Sequence, residues 1–108
     1  MYLIDTNIFL EILLEQEKAD NCIQFFEQLS RQGDLCLVTS YSLHSIETIL
    51  TNLKRYDVLI NFLEDLIGNI NIRPYQTTPE EELEIIQNIS KFNLDFDDSL
   101  QYYVAKKV

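Results

Sequence analysis

Met1-Tyr2-Leu3-Ile4-Asp5-Thr6-Asn7-Ile8-Phe9-Leu10 opens the chain. Tyr2–Ile4 has the composition of a short buried strand. Asp5-Thr6-Asn7 follows at once, and Ile8–Leu14 then reads as a helix capped by Thr6 or Asn7. An acid and two further oxygen-bearing side chains are thus expected at the carboxyl tip of a first strand. In open parallel sheets ligands bind there. As a purely structural alternative, Asp5 is an acid favoured by the positive end of the helix dipole.

Outward from this stretch the hydrophobic period alternates between strand and helix. Ala19–Arg31 carries Cys22, Ile23, Phe26 and Leu29 at helical spacing, and Gly33-Asp34 stops it. Leu35–Val38 is an uninterrupted apolar run, the pattern of a strand covered on both faces. Tyr41–Leu53 and Tyr56–Ile67 are predicted helices, the first with Leu43, Ile46, Leu50 and Leu53 on one stripe. Ile70–Ile72 is a brief strand before Pro74. Thr78-Pro79-Glu80 marks a helix start that runs to about Phe92. A last helix is expected from about Asp97, capped by Asp95 or Asp97. The order βααβααβαα implies an α/β fold, a short parallel sheet flanked by helices in three layers.

The 108 residues set one domain as the expectation, spanning 1–108. Hydrophobic residues make up 46%, enough for a core despite a net charge of −10. That charge argues against a simple basic phosphate binder. Acids gathered around divalent cations reverse the inference, because the metal then attracts phosphate. No apolar run suits a bilayer span and no basic leader precedes Asp5, so the expectation is a soluble cytoplasmic protein without membrane association. Cys22 and Cys36 lack metal-ligand spacing and read as small buried hydrophobes.

Besides Asp5, two acids stand out. Glu47 falls among Leu43, Ile46, Leu50 and Lys54 on a helical wheel, which predicts an inward-facing carboxylate. Such a group needs a metal or a partner, Lys54 or Arg55 being the nearest in sequence. In Asp95-Phe96-Asp97-Asp98, Asp95 and Asp97 suit first-turn capping, whereas Asp98 can point past the sheet edge. Carboxylates from separate elements that meet at one spot persist only with a cation or with raised pKa values. Hard oxygen ligands suit Mg²⁺ or Mn²⁺. His44, the sole histidine, is expected to be solvated. The acids Glu80, Glu81 and Glu82 read as a helix first turn.

These motifs, Tyr2–Leu10, Thr39-Ser40 through Glu47, and Leu94–Ala105, together resemble the PIN-domain nucleases, above all the VapC-like toxins of bacterial and archaeal toxin–antitoxin pairs. The resemblance implies a three-layer PIN-like fold and a metal-dependent endoribonuclease acting on single-stranded or structured RNA. It implies Asp5, Glu47 and Asp98 as the acids holding Mg²⁺ or Mn²⁺, with Asp97 competing for the third place. Thr6, Asn7 and Ser40 match polar residues around the metal. An antitoxin protein and a second copy of the chain are the implied partners. Family members continue through a further strand and a fourth acid, so a C-terminally short domain with an exposed first-strand edge is expected. The rival expectation is a catalytically degenerate PIN-like protein that serves as an interaction module.

Overall fold

A computed structural model describes residues 2–69, 71–92 and 95–107, without the side chains of 90–92 and 97. Three strands, β1 (Tyr2–Leu3), β2 (Cys36–Thr39) and β3 (Ile72–Tyr75), form a parallel sheet in the order β1-β2-β3. Six helices connect and follow them: α1 (Thr6–Leu13), α2 (Ala19–Gln32), α3 (Ser40–Asn52), α4 (Tyr56–Gly68), α5 (Pro79–Phe92) and α6 (Phe96–Lys107). The expected alternation and α/β class hold.

β2 is the central strand and all four of its residues are buried. Its uninterrupted apolar sequence follows from helices on both faces. Ile4, Cys36, Val38 and Ile72 face one layer, where Phe9, Leu29, Ile46, Leu50 and Leu59 bring in α1 to α4. Phe9 stacks on Phe26 at 5.4 Å and meets Phe62 edge-on at 5.5 Å, joining α1 to α2 and α4. Leu3 and Tyr75 face the opposite layer, packed on Ile85, Leu100 and Val104 of α5 and α6. The period-two alternation of strand side chains produces this division.

Several boundaries shift for physical reasons. β3 runs through Pro74, which the sequence reading places beyond the strand. Among the described residues β3 has a neighbour on one side only, and an edge strand tolerates a residue without an N–H. Ile70, where that strand is expected to begin, and Leu94 of the last acidic motif lie outside the described residues. α1 begins at Thr6, so Thr6 and Asn7 lie in its first turn and Asp5 takes the cap position. Gly33 ends α2 with φ 72°, a left-handed conformation that glycine adopts without steric cost. Its N–H and that of Asp34 bond to Ser30 O and Leu29 O.

α3 follows β2 without a loop. Thr39 closes the strand and caps the helix: its Oγ1 accepts the Ser42 N–H at 3.0 Å and donates to Ser42 Oγ at 3.0 Å. Thr39 and Ser42 are 1% and 2% exposed. At the far side, α5 starts in a reciprocal capping box. Thr78 N–H donates to Glu81 Oε1 at 2.9 Å, and Glu81 N–H donates to Thr78 Oγ1 at 3.2 Å. Glu81 Oε2 also accepts from Tyr75 Oη and Lys107 Nζ, each at 2.7 Å. This buried carboxylate therefore ties the end of α6 to the start of α5 and to β3. The Lys107 ammonium first, then Thr78 and Tyr75, hold the Glu81 pKa down at about 2, against an ordinary 4.5.

Candidate active site

The carboxyl ends of β1 and β2 open into a cleft of ≈ 310 Å³ lined by Asp5, Thr6, Asn7, Leu10, Tyr41, Ser42, Ser45, Ile49, Asp98 and Gln101. Parallel strands put this edge where α/β sheets take ligands. Six of these lining residues lie at the starts of three helices: Asp5–Asn7 at α1, Tyr41 and Ser42 in α3, and Asp98 in α6. Three positive helix ends thus meet at one cleft. Among the described residues no lysine or arginine lines it.

Asp5 sits at the α1 cap position with φ −74° and ψ 149°, yet its carboxylate makes no capping hydrogen bond. A capping aspartate would use its oxygens on the first-turn amides. Here they stay available to the cleft, and the first turn of α1 carries no acid of its own beside the Thr6 and Asn7 amides; the third amide of that turn, Ile8 N–H, bonds to Asp5 O at 3.1 Å. Asp98 stands at the third position of α6. Its N–H donates to Asp95 Oδ1 at 3.1 Å, so Asp95 is the cap, as expected, and Asp98 lines the cleft. The side chain of Asp97 lies outside the described residues.

Glu47 does not line the cleft. The α3 face that does is Ser42, Ser45 and Ile49, and Glu47 lies about 200° round the helix from Ser45 at about 100° per residue. The packed stripe of α3 is Ser42, Ile46 and Leu50, with Leu53 exposed, not the expected stripe through Leu53. That phase leaves the Glu47 side chain 35% exposed, 4.0 Å from His44 Nε2 and with no ion pair to Lys54 or Arg55 among the described residues. Ser40 is also outside the cleft: its Oγ donates to Tyr75 O at 3.4 Å and fixes α3 to β3. The structure therefore brings Asp5, Thr6, Asn7 and Asp98 together and holds Glu47 and Ser40 apart from them.

Ser42, Ser45 and Gln101 are cleft residues that the sequence reading does not single out. Their spacing carried the information. Ser42 and Ser45 are i,i+3 on α3, and Gln101 is three residues after Asp98 on α6, so each pair shares a helix face.

Among the described residues no three His, Cys, Asp or Glu side chains gather closely enough to hold a metal ion. The cleft instead offers two carboxylates with hydroxyl and amide oxygens. That donor set fits Mg²⁺ or Mn²⁺, since Mg²⁺ is commonly held by one or two carboxylates while keeping several waters. The free thiols Cys22 and Cys36 are buried, and burial raises the Cys36 pKa, with the Asp34 charge adding to the shift. No described helix is long and apolar enough to cross a membrane.

The family model described as PIN domain matches residues 2–108. The "VapC ribonuclease" of Aquifex aeolicus (strain VF5) is 30% identical over 115 residues, an alignment that spans 100% of this chain and 81% of that protein. No solved structure gives a significant match.

Proposed function

The chain belongs to the PIN domain family, and on that premise we propose that it is a divalent-cation-dependent endoribonuclease, the toxin of a cytoplasmic toxin–antitoxin pair. One observation carries the reading. Two carboxylates and three helix N-termini from separate parts of the chain face one cleft at the carboxyl ends of the strands. Positive helix ends favour a phosphate, and the two acids favour a cation beside it. The curated relative named as a ribonuclease, matched along the whole of this chain, supports RNA as the substrate.

Asp5 and Asp98 hold the cation, Mg²⁺ or Mn²⁺. When bound, such an ion supplies positive charge to phosphodiester oxygens and acidifies water. The Thr6 and Asn7 amides, at the start of α1, donate to the phosphate of the RNA strand. The hydroxyls of Thr6 and Ser45 orient the attacking water. Glu47 receives no ligand role here, because helix phase directs it away from the cleft. An antitoxin and a second copy of the chain are the proposed protein partners.

Incubation of the purified chain with single-stranded RNA, with Mn²⁺ or with EDTA, tests the reading. Cleavage is expected with Mn²⁺ alone, and Asp5→Asn is expected to abolish it while leaving the circular dichroism spectrum unchanged. Equal cleavage in EDTA, or by the folded Asp5→Asn variant, overturns it.

A further inference from the structure

Gln101 Oε1 is shielded from solvent and has no hydrogen-bond partner among the described residues. A buried amide oxygen left without a donor loses its hydration and gains no bond in return. Native structures keep few such groups, and each calls for an explanation such as an ion or water. Gln101 lines the cleft that Asp5 and Asp98 share. Gln101 follows Asp98 by three residues on α6, so the two side chains lie on one face of the helix. α6 is fixed in that orientation at both ends, by the Asp95 cap and by the bond from Lys107 to Glu81.

We propose that Gln101 supplies the third protein oxygen for the cation held by Asp5 and Asp98. The inference rests on the cation-dependent reading above. The missing element in that reading is a third ligand, since Glu47 faces elsewhere. A neutral amide oxygen suits the place. Amide carbonyls are ordinary ligands of hard cations, and a third carboxylate would add to the repulsion between two acids when no ion is bound. The cation thus gives the buried Gln101 oxygen a partner in a cleft that also holds two acids.

Mn²⁺ binding, followed by the electron paramagnetic resonance of free Mn²⁺, tests this without reference to RNA cleavage. Gln101→Leu removes the oxygen and keeps much of the bulk. It is expected to weaken Mn²⁺ binding about tenfold or more, the scale seen when groups that support a metal site are removed. Without metal the same variant should be at least as stable to urea as the wild type, because the orphaned oxygen is gone. Gln101→Glu, which restores an oxygen, should bind Mn²⁺ at least as tightly as the wild type. If Asp5→Asn loses Mn²⁺ binding while Gln101→Leu binds like the wild type, the role of Gln101 is refuted and the two-acid site stands. If Gln101→Leu fails to fold, Gln101→Glu decides: weaker Mn²⁺ binding than the wild type refutes the proposal. A wild-type chain that binds no Mn²⁺ overturns both readings.

Discussion

Replacing Thr39 by Val removes one oxygen from the junction between β2 and α3 and changes little else in shape. Thr39 Oγ1 accepts the Ser42 N–H at 3.0 Å and donates to Ser42 Oγ at the same distance. Both residues are almost wholly buried, so water cannot take over either bond. Loss of a hydroxyl cap costs about 1 kcal/mol on average and up to about 2 in a folded protein. The buried Ser42 amide left without an acceptor points to the upper end of that range. A loss of about 2 kcal/mol follows, partly offset by a buried methyl worth about 0.8 kcal/mol, for a net loss of about 1–1.5 kcal/mol. At a urea slope of about 1–1.5 kcal/mol per molar, the midpoint falls by about 1 M, and Tm falls by about 4–10 °C. Thr39→Ser is the control. It keeps the oxygen, loses one methyl, and should fall by less than the Val variant. Urea unfolding of the three proteins at one slope reads the difference. If Thr39→Val is as stable as Thr39→Ser, the cap does not set the start of α3, and the burial of Ser42 has another cause.

Glu47→Gln is expected to leave Mn²⁺ affinity within about twofold of the wild type, whereas Asp98→Asn should weaken it at least as much as the about tenfold loss expected of a supporting group; equal losses in the two variants would place Glu47 in the site after all. Leu50→Ala, at a fully buried position in the layer shared by α1 to α4, should cost about 2–5 kcal/mol in urea unfolding, and a loss below about 1 kcal/mol would contradict the packing described. Stability should also fall in acid through Glu81. Its folded pKa is depressed to about 2 from 4.5, so its contribution is full above 4.5 and is lost as pH falls towards 2. Glu81→Gln should be less stable than the wild type at neutral pH, and the two should converge near pH 2; curves that stay parallel from pH 6 to pH 2 would refute the linkage. The Lys107 pKa is raised above 10.5 by Glu81, so the same bond is present below 10.5 and weakens at higher pH.

The amino-acid sequence by itself determined the succession of elements and the class of fold. Period-two and period-3.6 apolar patterns are local properties, and so are the stop at Gly33 and the start at Thr78-Pro79. It also determined that Asp5 stands at a strand tip, because Tyr2–Ile4 and Ile8–Phe9 bracket it within a few residues. Helix phase relative to the rest of the molecule was beyond it. On α3 the sequence reading puts the stripe through Leu43, Ile46, Leu50 and Leu53, whereas a second, overlapping stripe runs through Ser42, Ile46 and Leu50. The choice fell to the second when Thr39 capped the helix and Ile46 and Leu50 met Val38 and Phe9 in the core. That rotation turned Glu47 away from Asp5 and turned two serines towards it. Gln101 illustrates the same limit on α6, whose face is set by bonds from Asp98 N–H to the Asp95 carboxylate and from Lys107 to Glu81, the latter joining residues 26 apart. A sequence states which side chains a helix carries; only packing against the sheet decides which of them share a cleft.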